Sequence, residues 1–240
     1  MWGATPVVMK LALVEVPVFS LAFLRFSVAS LILGLLIAKK LKIQKEDFGM
    51  FALAALTGVT LHIATFFIGP KLTDAILAAF LFAAVPVFTL IASNIFLKEK
   101  LTKKLIVASI IAFLGVLTIV GKFEGNINKM ALLGNILLLL SSGFWVYHEI
   151  VAKKLLKKYD GSVVAFYTMA IGSITFLPLF IWEYQKNPNW MSNLTTNGYA
   201  GILYGIIFAS LAAYWAWQKG LKQMPAGQAA FFFYLDPITG

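Results

Sequence analysis

Apolar residues in this chain come in long unbroken runs separated by short polar clusters. They show neither the alternation of a half-buried strand nor the stripe of a surface helix. A helix needs roughly 20 residues to cross the ~30 Å hydrocarbon core of a bilayer. Seven runs meet that length: Val18–Ala38, Phe48–Ile68, Ala75–Leu97, Leu101–Val120, Ala131–Ala152, Val163–Trp182 and Tyr199–Trp217. Two others, Trp2–Val14 and Ala226–Gly240, are too short and read as helices clipped by the chain ends. Trp2–Val14 does not read as a signal peptide, because no basic segment precedes it and no clear small-residue cleavage site follows. Barrel strands are the weaker reading, since stretches such as Leu105–Val120 are apolar on every side and do not alternate. The expected fold is all-α: a polytopic membrane helix bundle, with seven complete and two partial spans.

Composition agrees. Of 240 residues, 60% are hydrophobic and 12% charged, against roughly 45–50% and about 25% in soluble domains. That excludes a disordered chain and argues against a water-soluble one. Cys is absent, which excludes disulfides, thiolate metal sites and cysteine nucleophiles. Two His are too few for a His-rich metal centre. No glycine-rich phosphate loop, HExxH or GxSxG arrangement occurs, so no enzyme, metal or cofactor is expected.

The net charge of +10 would suggest nucleic acid in a soluble protein. Here 19 of the 20 basic residues are Lys, and most sit between apolar runs, as for anchoring at a membrane face. Alternate loops carry 14 and 5 of these lysines. The rich set comprises residues 39–45, 98–104, 153–158 and 219–222, and the positive-inside rule places it, with the amino terminus, in the cytoplasm. Acidic residues are even, four on each side, as expected if only Lys and Arg matter.

Two segments match at a spacing of 151 residues, with Ala79-Phe80 on Ala230-Phe231 and Pro86 on Pro237. Another match, at 143, puts Trp2 on Trp145 and Lys10 on Lys153. Each pair lies five helices apart, and an odd number reverses the direction of crossing. The expectation is two inverted five-helix repeats, 1–121 and 131–240, joined by a linker at 122–130, with the tenth helix missing. Chance similarity between Ala- and Phe-rich helices is the alternative.

Polar groups inside the runs are candidates for function. Arg25, the single Arg, lies eight residues into the second run and serves either a wet cavity or an anchoring role. The aligned position carries Thr168, so any charge function is asymmetric. Asp236, before Pro237, either binds a proton or cationic group or makes a structural contact. Glu149 stands four residues before Lys153, the order that favours an ion pair. His62 reads as a packing histidine or a proton relay, and Trp145 as a pocket or packing residue. The run Tyr214–Gly220 reads first as an interfacial aromatic belt. Gly58, Ala54, Ala55, Gly172 and Ser173 read as close helix contacts.

Several motifs resemble, in order, the EamA-type branch of the drug/metabolite transporter superfamily. They are Trp2-Gly3 through Lys10, Leu21–Phe26 with Arg25, Ile68-Gly69-Pro70-Lys71 through Ala78, Pro86 followed by Phe96–Leu101, Tyr214–Leu221, and Tyr234-Leu235-Asp236-Pro237. Lys98 stands where that pattern has Gly, which suggests a differently set helix end; Gln218 stands where Asn is common, and Asp236 also departs from it. The resemblance implies ten helices in two repeats and secondary transport of a small metabolite, often export of amino acids or related solutes. It implies the cytoplasmic membrane of a prokaryote, and coupling to protons in some members. Candidate cavity residues are Arg25, His62, Trp145, Gln218 and Asp236, and candidate bending points are Pro86 and Pro237. Expected partners are the solute, membrane lipid, a proton and, as a homodimer, a second copy of the chain, with no nucleic acid. A non-transporting scaffold or assembly partner is the competing reading, and a channel a third.

Overall fold

Long apolar runs in lipid can satisfy their backbone only within helices or closed barrels, and this chain uses helices. The computed structural model describes residues 1–73, 84–120 and 129–235, and every regular element among them is helical. In chain order these are α1 (Thr5–Ala12), α2 (Val18–Leu36), α3 (Lys45–Leu72), α4 (Val85–Leu97) and α5 (Lys103–Val120). They continue as α6 (Lys129–Leu155), α7 (Gly161–Lys186), α8 (Thr196–Gln223) and α9 (Ala226–Leu235). The helices α2, α3, α6, α7 and α8 are each long and apolar enough to cross a membrane. The molecule is a polytopic helical bundle. Residues 74–83, most of the linker 122–130, and Asp236 and Pro237 lie outside the described residues.

Helix starts follow local chemistry. Asp160 caps α7 by accepting from the Ser162 amide at 2.9 Å, and Thr195 caps α8 by accepting from Asn197 N at 3.3 Å. Pro17 and Pro225 precede α2 and α9 in extended conformation. Pro86 is the second residue of α4, where its missing N–H is least costly. Carboxylates from distant segments complete other N-termini: Glu183 accepts from Phe19 N, Ser20 N and Ser20 Oγ, and Glu99 from Ala226 N and Gly227 N.

Two spans are not α-helical throughout. Leu56–Leu61 within α3 and Gly205–Ala212 within α8 are π-helical. A π segment shifts the hydrogen-bond ladder by one residue and frees a carbonyl for another partner. Gly58 O accepts from Tyr214 Oη at 3.0 Å, and Ala209 O accepts from Trp2 Nε1 at 3.0 Å and Arg25 Nη2 at 3.4 Å. Gly58 and Ala209 are 151 residues apart, the spacing of the internal sequence match.

Small residues allow the helices to approach, as expected. A Cβ on Gly172 of α7 would fall 2.5 Å from Val59 Cγ1 of α3, and one on Gly58 would fall 2.3 Å from the His148 ring of α6. The principal packed pairs are α2 with α7 and α3 with α6. Outward faces are apolar: Leu31, Ile95, Ile111 and Ile174 are all exposed, a surface that suits lipid. At the end of α4, Lys98 takes φ 57° and ψ 32°. Lysine thus stands on the left-handed backbone that favours glycine, the residue that the resembled pattern has there.

Candidate functional site

The interior between the helices is lined by rings. Trp145 of α6 is the hub, with its ring centroid 5.3 Å from Trp2, 5.1 Å from His62, 5.2 Å from His148, 6.0 Å from Tyr214 and 5.9 Å from Phe233. Trp217 closes the group, 4.8 Å from Phe233. Offset and edge-on contacts at these separations are the favourable arrangements for aromatic pairs. Tyr214, Trp217 and Gln218 therefore turn inward, and Trp215 is the exposed aromatic of that run, its Nε1 donating to Ser162 Oγ at 3.1 Å. The interfacial-belt expectation for Tyr214–Gly220 is corrected accordingly. Amphipathic period alone could have shown it, because 214, 217, 218 and 221 share one helix face.

Polar side chains run through this aromatic core. His62 Nδ1 lies 3.1 Å from Ser141 O and 2.9 Å from Ser141 Oγ, and Ser141 Oγ donates to His62 O at 3.0 Å. His148 Nδ1 donates to Ala54 O at 2.9 Å, which leaves Nε2 to accept from the Gln218 amide at 3.1 Å. Arg25 Nε donates to Ser210 Oγ at 2.8 Å. Among the described residues no carboxylate pairs with this buried guanidinium. Thr89 of α4 donates to Glu149 Oε2 at 2.7 Å. Trp145 Nε1, Trp217 Nε1, Gln218 Oε1 and Glu149 Oε1 are buried and make no hydrogen bond of normal geometry. Such groups are rare in folded interiors, and each one has bonding capacity to spare.

The structure thus brings together four of the sequence candidates. Arg25 joins the site through Ala209, whose carbonyl also receives Trp2, while His62 and Gln218 flank Trp145 directly or through His148. Asp236 and Pro237 lie outside the described residues. The Glu149–Lys153 ion pair does not form: Lys153 Nζ donates instead to the carbonyls of Leu221 and Met224, tying α6 to the end of α8. A backbone acceptor cluster at a helix C-terminus outcompetes a carboxylate that faces inward. An open hollow of about 450 Å³ lies elsewhere, lined by Lys42, Ile43, Gln44, Lys158 and Tyr159.

At the helix ends, charge is managed with water at hand. Burial works against ionisation of Asp160, yet the Ser162 amide and the Lys219 ammonium at 3.0 Å outweigh it and hold the carboxyl at about 2. Lys158 is raised above its ordinary value by its bonds to Asp47.

The sequence pattern of the EamA-like transporter family matches residues 1–121 and again residues 132–240. The chain belongs to the EamA-like transporter family. Across 99% of its length it is 28% identical to an uncharacterized transporter of Archaeoglobus fulgidus, covering 82% of that protein. It is 26% identical over 99% of its length to the uncharacterized transporter YetK of Bacillus subtilis, covering 73% of it. A solved crystal structure of a protein superposes on 99% of this chain and 80% of its own, with a TM-score of 0.77 at 16% identity, a likeness of fold. The EamA-like chain is a multi-pass membrane protein of the transporter class, within the drug/metabolite transporter superfamily.

Proposed function

We propose that the protein is a secondary transporter that moves a small metabolite, an amino acid or related solute, across the prokaryotic cytoplasmic membrane by alternating access. One observation carries the reading: a buried guanidinium, with no carboxylate partner among the described residues, stands beside aromatic rings that include a Trp217 indole donor making no hydrogen bond of normal geometry. A solute carboxylate would complete Arg25 through two parallel hydrogen bonds. Trp145, Trp217 and Gln218 would take up its remaining polar groups. A scaffold has no use for such unspent capacity, which costs stability when buried.

The two halves, 1–121 and 131–240 about the linker 122–130, act in this reading as inverted repeats that rock around the aromatic centre. Support comes from the double family match, the 143 and 151 spacings, and the two π segments whose freed carbonyls obey the same spacing. Pro86 and Pro237 are the proposed bending points. The lysine asymmetry supports a cytoplasmic amino terminus. Export, with a proton moving the other way, is the proposed direction.

The test is reconstitution of the protein in vesicles with a panel of labelled amino acids and other metabolites. Saturable flux that falls in Arg25→Lys, at equal membrane protein, supports the reading. Absence of flux for the whole panel from folded protein refutes it and favours the scaffold.

A further inference from the structure

Glu149 is fully buried on α6, six residues or ~9 Å of helix before Leu155. Thr89 Oγ1 donates to Oε2, while the Trp145 indole faces the carboxyl without completing a hydrogen bond of normal geometry, so Oε1 accepts none of that kind. The ionisable groups on the elements packed around it are all engaged elsewhere. His148, its neighbour on α6, bonds Ala54 O and Gln218, and Lys153 bonds the Leu221 and Met224 carbonyls. His62 of α3 meets Ser141, Tyr214 of α8 meets Gly58 O, and Glu99 beyond α4 caps α9.

A lone carboxylate in an apolar enclosure is costly, so it must be neutralised by a cation or a proton. A hard cation needs a cage of six or so oxygens. This site supplies one carboxyl and one hydroxyl, and among the described residues no group of three or more acidic or histidine side chains gathers to hold a metal. The occupant that fits is a proton.

We propose that Glu149 is the proton-binding site of the transport cycle. A proton from water on one side joins the carboxylate when the site is open there. The acid is carried in the closed arrangement, with Thr89 at Oε2, and the proton returns to water when the site opens on the other side. The step rests on the transport reading, and it deepens that reading by naming the coupling group. Sequence alone pointed to Asp236 for this role and to Lys153 as the partner of Glu149. The geometry points to Glu149 because both oxygens face inward, away from that lysine.

The test separates proton binding from transport. Infrared difference spectra of the whole protein in lipid, taken in steps across neutral pH, should show a carboxylic-acid carbonyl band that Glu149→Gln removes. Glu183→Gln should leave it in place. Thr89→Val keeps the carboxyl but removes its hydrogen-bond partner, so the band should persist at a shifted frequency. A band that survives Glu149→Gln, no acid band at neutral pH, or a band unmoved by Thr89→Val overturns the assignment. In vesicles that show solute flux, Glu149→Gln should abolish the response to an imposed pH gradient. An unchanged response also overturns it. Vesicles without any flux refute the transport reading alone, since the infrared band still decides whether Glu149 holds the proton.

Discussion

Gly58 gives the sharpest test of how the centre of the molecule is held. A methyl group there would sit 2.3 Å from both Cγ and Nδ1 of His148. Ordinary carbon contacts begin near 3.5 Å, so the ring would have to move by more than an ångström. It is pinned by Ala54 O at 2.9 Å on one side and by Gln218 at 3.1 Å on the other. Overpacking a filled interior costs about 1–3 kcal/mol, and breaking one of these bonds adds about 1 kcal/mol. The gain from replacing glycine in a helix is about 1 kcal/mol at most. Gly58→Ala should therefore lose about 1–3 kcal/mol of unfolding free energy. Gly143 of α6 is the control, because a Cβ there meets nothing within 4 Å, and Gly143→Ala should be neutral or stabilising by up to about 1 kcal/mol. Both are read by helicity during titration with a denaturing detergent in mixed micelles. If the two variants unfold alike, or Gly58→Ala stays within about 0.5 kcal/mol of the parent, the packing argument is wrong.

Three further outcomes are expected. Arg25→Lys gives up the fork that reaches both Ser210 and Ala209, and solute flux per unit of membrane protein should fall about tenfold, equivalent to about 1.4 kcal/mol, with expression little changed. Equal flux would refute a solute role for Arg25. Lys98→Gly should stabilise the protein by about 0.5–1 kcal/mol in the same detergent titration, because it relieves a left-handed lysine while giving back some chain entropy. Asp160 is held at about 2 when folded, against ~3.9 when free, so its contribution is present above pH ~4 and lost as pH falls towards 2. Asp160→Asn should be less stable than the parent at pH 7, and the two stability curves should converge near pH 2. A constant gap across that range would refute the linkage.

The bundle could be read in the sequence because its runs are long and because lipid leaves a chain few options. The same cause hides the site. With apolar residues on every side of most spans, period says little about which face turns inward; the polar end of α8 is the exception, where 214, 217, 218 and 221 mark the inner face. Arg25 and His62 stood out as polar groups at depth, and the structure does place them by the aromatic centre. Glu149 stood out too, but Lys153 four residues on suggested a local partner. Only the fold shows that the end of α8 offers that lysine two carbonyls. The π segments left no mark because their sequences, LTGVTL and GIIFASLA, are composed like any other turn of a span. What stabilises them is a donor far along the chain, Tyr214 for one and Trp2 with Arg25 for the other.

The acidic residues at the helix ends share a property that no local reading could show. Glu15 bonds Thr195, and Glu183 bonds Phe19 and Ser20, at the end of the bundle that carries the α1–α2 and α7–α8 turns. Asp47 bonds Lys158 and Tyr159, and Glu99 bonds the start of α9, at the opposite end. Each of these four contacts joins a residue before 121 to one after 131. The halves are therefore latched at both ends by carboxylates set on backbone amides, hydroxyls and one lysine, all near water. Such contacts contribute little, because water replaces them on opening. The aromatic centre is different, since parting its rings exposes large apolar area. On the proposed cycle the ends are then the parts that release first, and similar weak latches at both ends let either face open without committing the protein to one side.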